Sequence, residues 1–172
     1  MDLFAEQGFE ATSAVQIAER AGVTTRTFFR YFPDKEEILF ADANALNEAL
    51  VDELSRSADL AEPLRAVTRT LALHDWEKLG SRESLRRRDE MIAANPRLLE
   101  RDLIKQQQLA DGFRGALRQR GIDADTADLA ASTAGPVFRT AYRRWLRSDD
   151  DSDLGTITEA VLALLASLTP RA

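Results

Sequence analysis

The 172-residue sequence has no cysteine, a single histidine at position 74, two tryptophans and two tyrosines. Without cysteine there is no disulfide framework, no thiolate metal site and no thiol redox switch, which agrees with a reducing compartment. A catalytic triad or metal site would have to be built around His74 with Asp75 and Glu77, whose adjacent side chains point to different faces of a helix. No nucleophile–base pair, phosphate-binding loop or metal-ligand spacing is present, so we expect no enzyme, no cofactor and no metal. Also missing is any apolar run near the roughly 20 residues that a membrane helix needs, and the opening MDLFAEQ lacks the basic-then-apolar order of a secretory signal. We expect no membrane partner and a cytoplasmic location. The β-branched alternation of strands is absent as well, which leaves an all-α fold.

What is present is a foldable composition, 44% hydrophobic and 30% charged. The length allows either one domain or a small unit joined to a larger one. The formal net charge is −6, yet between Arg20 and Lys35 the cations Arg20, Arg26, Arg30 and Lys35 face only Asp34, a local balance of +3. An acidic chain that is basic on one small face would meet a polyanion only through that face.

Apolar residues recur at spacings of three and four, with breaks at Gly, Pro or Asx. Asp2 to Gln7 ends at Gly8, a helix C-terminus at which left-handed geometry is free of strain. A second helix opens on a Ser13/Gln16 capping box and ends at Ala21-Gly22. Thr24 caps a third, which runs to about Tyr31 before Pro33. Asp34 and Glu37 form a capping box for a long fourth helix reaching about Ser57. Further helices are expected from Pro63 to about Gly80, from Ser84 to Ala94, from Asn95-Pro96 to Gly121, and from Asp123 or Asp125 to about Ser148 with a kink at Gly135-Pro136. After the acidic loop Asp149 to Asp153, a Thr156/Glu159 capping box opens the last helix, with Ile157, Val161, Leu164, Leu165 and Leu168 as its apolar stripe.

Two helices joined by the turn Ala21-Gly22-Val23 form a helix-turn-helix, in which the second helix enters the DNA major groove. Val15, Ile17, Ala18 and Ala21 are expected to bury the first helix, Val23 to plug the turn, and Phe28 and Phe32 to anchor the second as core residues. Thr25, Arg26, Thr27 and Arg30 remain for base edges and phosphates, with Tyr31 and Lys35 reaching backbone oxygens. The alternative is a helical hairpin that packs a core without touching DNA.

The wording LFAEQGFEATS (Leu3–Ser13), IAERAGVT (Ile17–Thr24) and FFRYFPDKEE (Phe28–Glu37) resembles the TetR family of bacterial regulators, across three helices and both turns. The resemblance implies a homodimer with a small N-terminal DNA-binding domain (residues 1–40, first helix truncated) and a helical effector-binding and dimerisation domain (residues 41–172). It implies Thr24 as the cap, Thr25, Arg26 and Thr27 as groove-facing residues, and Tyr31 and Lys35 as phosphate contacts. The partners implied are double-stranded operator DNA, a second copy of the chain and a small-molecule effector. Two departures bear on strength. Phe29 stands where the family usually has Tyr, which removes a phosphate hydrogen bond of roughly 1 kcal/mol. The family's first helix is also about two turns longer, with a basic arm.

In the second half, Trp76, Met91, Phe113, Phe138 and Tyr142 could line a ligand cavity or fill a core, and His74 could be a polar group of such a pocket. Arg86-Arg87-Arg88 reads either as an anion site or as a solvated face beside Glu83, Asp89 and Glu90. This run through Asn95-Pro96, with Tyr142 to Leu146, resembles an actinobacterial TetR subgroup that includes regulators responding to acyl-coenzyme A esters, which makes a fatty acyl ligand one candidate. The family forms its dimer through the last two helices as a four-helix contact; burial within one subunit is the other possibility. The resulting expectation is a ligand-responsive repressor. The competing one is a small-molecule binding or sequestering protein with a weakened DNA reader.

Overall fold

The structure, a computed structural model, describes residues 2–148 and 152–168, and every regular element among them is helical. Three short helices come first: α1 (Asp2–Gln7), α2 (Ala14–Arg20) and α3 (Thr25–Tyr31). A 3-10 turn (Glu36–Phe40) leads to α4 (Ala43–Ser55) and α5 (Pro63–Leu73). After a second 3-10 turn (Trp76–Leu79) follow α6 (Arg82–Ala94), α7 (Pro96–Gln119), α8 (Ala124–Arg147) and α9 (Leu154–Ser167).

Three apolar clusters hold these helices together. The largest packs Leu50 and Leu54 of α4, Val67 and Leu71 of α5, Phe113 and Leu117 of α7, and the small residues Ala127 to Ala134 of α8. Alanines on α8 let its neighbours approach closely without large side chains between them. A second cluster joins α8 to α9 through Trp145, Leu146, Leu154 and Val161. The third spans the N-terminal helices and the body: Phe4, Phe9, Leu39 and Phe40 meet Ile92 of α6 and Leu98 of α7. Polar ties reinforce this junction. Arg101 of α7 reaches Asp34 at 2.7 Å and Glu37 at 2.8 Å, and Lys105 reaches Glu37 at 3.5 Å.

Several expected boundaries are corrected by side chains from distant elements. The fourth helix is not one rod from Asp34 to Ser57. Asp34 does accept the Glu37 amide at 2.9 Å, but Arg88 takes the Leu39 carbonyl through two N–H groups, at 3.1 and 2.7 Å. The chain turns at Ala41-Asp42 before α4 begins. Likewise the Pro63 helix stops at Leu73 rather than Gly80, because the indole N–H of Trp76 bonds the Leu71 carbonyl at 2.8 Å and His74 is extended. Ser81 caps α6, which therefore starts at Arg82 instead of Ser84.

Asp123 is the cap of α8, which runs unbroken through Gly135-Pro136. Pro136 and Ser132, whose carbonyl it cannot engage, are both exposed, so the lost bond faces water. Asp153, not Thr156, caps α9: its carboxylate accepts the Thr156 amide at 2.9 Å, while Glu159 pairs with Arg65 at 3.3 Å. In the expected acidic loop Asp149 to Asp153, residues 149–151 lie outside the described residues.

Candidate nucleic-acid interface and ligand cavity

Local chemistry shapes the reader. Ser13 accepts the Gln16 amide at 3.2 Å and the Gln16 side chain accepts the Ser13 amide at 2.8 Å, a closed capping box. Gly22 takes φ 68°, the left-handed value that lets α2 stop and the chain reverse. Thr24 then caps α3 by accepting the Thr27 amide at 3.1 Å, and the two hydroxyls lie 2.9 Å apart. Phe28 is the buried anchor of α3, with Phe29 packed edge-on at 5.2 Å and Phe32 at 5.5 Å.

The outer side of α3 carries the residues expected there. Arg26 and Arg30 are exposed, and Thr25 and Thr27 half-exposed. Tyr31 is 67% exposed, and its hydroxyl accepts an N–H of Arg30 at 3.1 Å. These groups form a polar, cationic ridge that runs from the first turn of α3 to its last residue. Other expectations fail. Val15 and Val23 are 46% and 41% exposed, and Ala21 is exposed too. Short helices bury only the stripe beneath them, here Ala18 and Phe28 with Ile17 half-buried beside them. Phe32 is only half-buried.

Two cations of the basic window are engaged by other parts of the chain, Arg20 at the surface and Lys35 within the fold. Arg20 holds Glu6 of α1 at 2.9 Å and keeps that carboxyl below its ordinary range. Lys35, expected at a phosphate, turns inward: its ammonium donates to the Phe9 and Thr12 carbonyls at 2.8 and 2.9 Å and lies 4.3 Å from the Phe9 ring. The α1–α2 connector presents those carbonyls together because the buried Thr12 hydroxyl bonds Gly8 at 2.7 Å. A buried threonine in this connector gave no periodic signal.

Deeper in the body a cavity of about 200 Å³ lies among α4, α6, α7 and α8. Four of the expected pocket residues line it: Trp76, Phe113, Phe138 and Tyr142. Trp76 stacks on Phe138 at 5.3 Å and meets Tyr142 at 5.4 Å. Burial pushes the Tyr142 hydroxyl up to about 12, so it is a neutral donor near neutral pH. Met91 packs instead against the third cluster, and His74 faces an open outer cleft, edge-on to Trp76 at 5.2 Å.

The cavity also has a polar side, of which the sequence pointed only to the arginine run that contains Arg88. Asp102, Lys105 and Gln106 line it, with Arg88, Asp89 and Arg139. The spacing 102, 105, 106, 109, 113 on α7 was a usable signal, since it places those polar groups on the face of Leu109 and Phe113. Of the arginine run, Arg86 is exposed and Arg87 pairs with Glu83 in solvent, so only Arg88 reaches inward. On the far side, Leu164 of α9, Leu168 just after it and Leu129 of α8 are exposed, whereas Val161 is buried within the subunit.

A capped reading helix, a tight glycine turn and a helical body with an internal cavity can be set against known proteins. Residues 1–41 match the family described as bacterial regulatory proteins, tetR family. The HTH-type transcriptional regulator TcmR of Streptomyces glaucescens is 30% identical over 182 residues, an alignment covering 99% of this chain and 79% of TcmR. The chain belongs to the TetR family. As a TetR-family protein it is a DNA-binding transcriptional regulator. HbdR of Aromatoleum sp. is 37% identical over a shorter stretch of 57 residues, 33% of this chain and 25% of HbdR. Among solved structures, Thermus thermophilus FadR, a TetR-family transcriptional repressor in complex with lauroyl-CoA, superposes with a TM-score of 0.62 at 25% identity, covering 100% of this chain and 92% of FadR. Among the described residues, no helix is long and apolar enough to cross a membrane.

Proposed function

We propose that this TetR-family regulator works in the cytoplasm as a homodimeric repressor that leaves a near-palindromic operator when a small hydrophobic effector fills the cavity. Residues 1–40 act as the reader and residues 41–172 as the effector-binding and dimerisation domain. Thr25, Arg26 and Thr27 meet base edges, and Arg30 and Tyr31 meet phosphates, with Thr24 shaping the helix start. Lys35 braces the reader from within. The carrying observation is the ridge of α3: a helix anchored by Phe28, capped by Thr24, with its threonines and arginines on the outer side. No catalytic step is assigned to the chain.

Trp76, Phe113, Phe138 and Tyr142 supply the apolar wall for the effector. A fatty acyl group is one candidate, since FadR is seen with lauroyl-CoA. Effector binding shifts DNA affinity only by its differential affinity for the two reader positions. Selection from random duplex DNA followed by an affinity measurement tests the reading: an enriched palindromic site supports it, and the absence of any enriched site contradicts it. For the dimer, exposed Leu164 and Leu168 predict twice the monomer mass by light scattering at micromolar concentration.

The second reading, a sequestering protein with a weakened reader, is favoured by one set of contacts. Arg20 is paired with Glu6 at the surface, Lys35 is held by backbone carbonyls, and Phe29 is 50% exposed without a hydroxyl. Effector binding with no DNA binding at low salt would decide for it.

A further inference from the structure

Arg88 stands out among the groups that line the cavity. Its guanidinium is half-buried, lies 5.4 Å from the Phe40 ring and donates to the neutral Leu39 carbonyl alone at 3.1 and 2.7 Å. No carboxylate forms an ion pair with it among the described residues. The acids of the same wall are engaged elsewhere: Asp89 by Arg143 at 3.1 Å, and Asp102 by Arg139 at 3.5 Å and by Gln106. A partly buried cation with no counter-charge is costly to maintain, and a carbonyl dipole offsets only part of that cost. Arginine's planar fork is suited to a carboxylate, which it can hold through two parallel bonds.

We propose that the cavity binds an amphipathic carboxylate, with its apolar body against Trp76, Phe138 and Tyr142 and its carboxylate at Arg88. The inference rests on the reading of this cavity as the effector site. It also supplies the link to the reader. Leu39 belongs to the 3-10 turn between the reader and α4, so a carboxylate that draws Arg88 to itself takes away the donor that holds the Leu39 carbonyl. The turn from Phe40 to Ala43 is then free to rearrange, and α3 moves with it. The same cation thus serves the cavity and the hinge.

Calorimetric titration of the full chain with two pairs of compounds tests this: dodecanoate against dodecan-1-ol, and 2-naphthoate against 2-naphthol. At least one carboxylate is expected to bind tenfold or more tightly than its neutral partner, and to speed amide exchange at Phe40 to Ala43. Arg88→Gln is expected to cut that preference below threefold, Arg88→Lys to keep only part of it, and Arg87→Gln to leave it unchanged. The wild-type comparison stands even where a variant fails to fold. Equal binding of acid and neutral partner overturns the proposal and leaves the effector reading in place, as does a preference that survives Arg88→Gln. No binding by any of the four contradicts both.

Discussion

Arg101 of α7 grips Asp34 of the reader through both carboxylate oxygens, at 2.8 and 2.7 Å, and reaches Glu37 with the same guanidinium at 2.8 Å. This fork joins the segment just after α3 to the longest contact helix of the N-terminal junction. It holds the Asp34 carboxyl below its ordinary range, mainly through the Arg101 hydrogen bond, and raises Arg101 in turn. Charge-assisted bonds are worth about 1.5–3 kcal/mol each when shielded, and partial exposure discounts that. We expect Arg101→Ala to cost about 1–2 kcal/mol by urea denaturation and to weaken DNA binding by loosening the reader.

The same pair sets a pH dependence. Asp34 has a depressed folded value, so its contribution is complete above the unfolded aspartate value of about 3.9 and is lost as pH falls through the folded one. Denaturation midpoints from pH 7 down to pH 3 are expected to fall in the wild type, and to fall less in Asp34→Asn.

Gly112 marks where α7 meets α4. A Cβ there would stand 2.6 Å from Val51 Cγ2, and valine has little rotamer freedom with which to yield. Gly112→Ala is expected to destabilise the chain by about 1–3 kcal/mol, the usual cost of overpacking. Val51→Ala in the same chain should relieve most of it, which a double-mutant cycle measures directly.

Phe113 and Phe138 both touch the cavity but carry different loads. Phe113 is 2% exposed inside the main core, whereas Phe138 is half-buried on the wall. Phe113→Ala is expected to cost about 3–5 kcal/mol, and Phe138→Ala clearly less while changing effector affinity more. Thermal denaturation alongside ligand titration separates the two effects.

Thr24 ties stability to reading. Replacing it by Ala removes the acceptor for the Thr27 amide, an N-cap loss of typically about 1 kcal/mol. Thr24→Ser is expected to restore both stability and DNA affinity, whereas Thr24→Ala lowers both.

The parts that were legible in the sequence are those fixed by neighbours in the chain. The caps at Ser13, Thr24 and Asn95, and the turn at Gly22, stand where residue type and spacing put them, and of the two aspartates offered for α8 it is Asp123 that caps. What was not legible is decided by contacts between residues far apart. Arg88 ends the helical path at Leu39 from 49 positions away, and no local pattern announces it. Trp76 stops α5 by reaching back to Leu71. The aromatic wall was half-visible, because periodicity marks a buried face without saying whether it fills a core or faces a void. Met91 and Phe113 illustrate the point, since both lie on apolar stripes and only Phe113 borders the cavity.

The central claim is that the exposed ridge of α3 reads DNA. Fluorescence anisotropy with the selected operator, measured from 50 to 300 mM salt for wild type and Arg26→Ala, tests it most directly. Wild-type affinity is expected to fall steeply with salt, and Arg26→Ala, which removes a base-edge contact, to bind the operator more weakly across the range. Operator binding that ignores salt, or an Arg26→Ala curve that overlays the wild type, would contradict it.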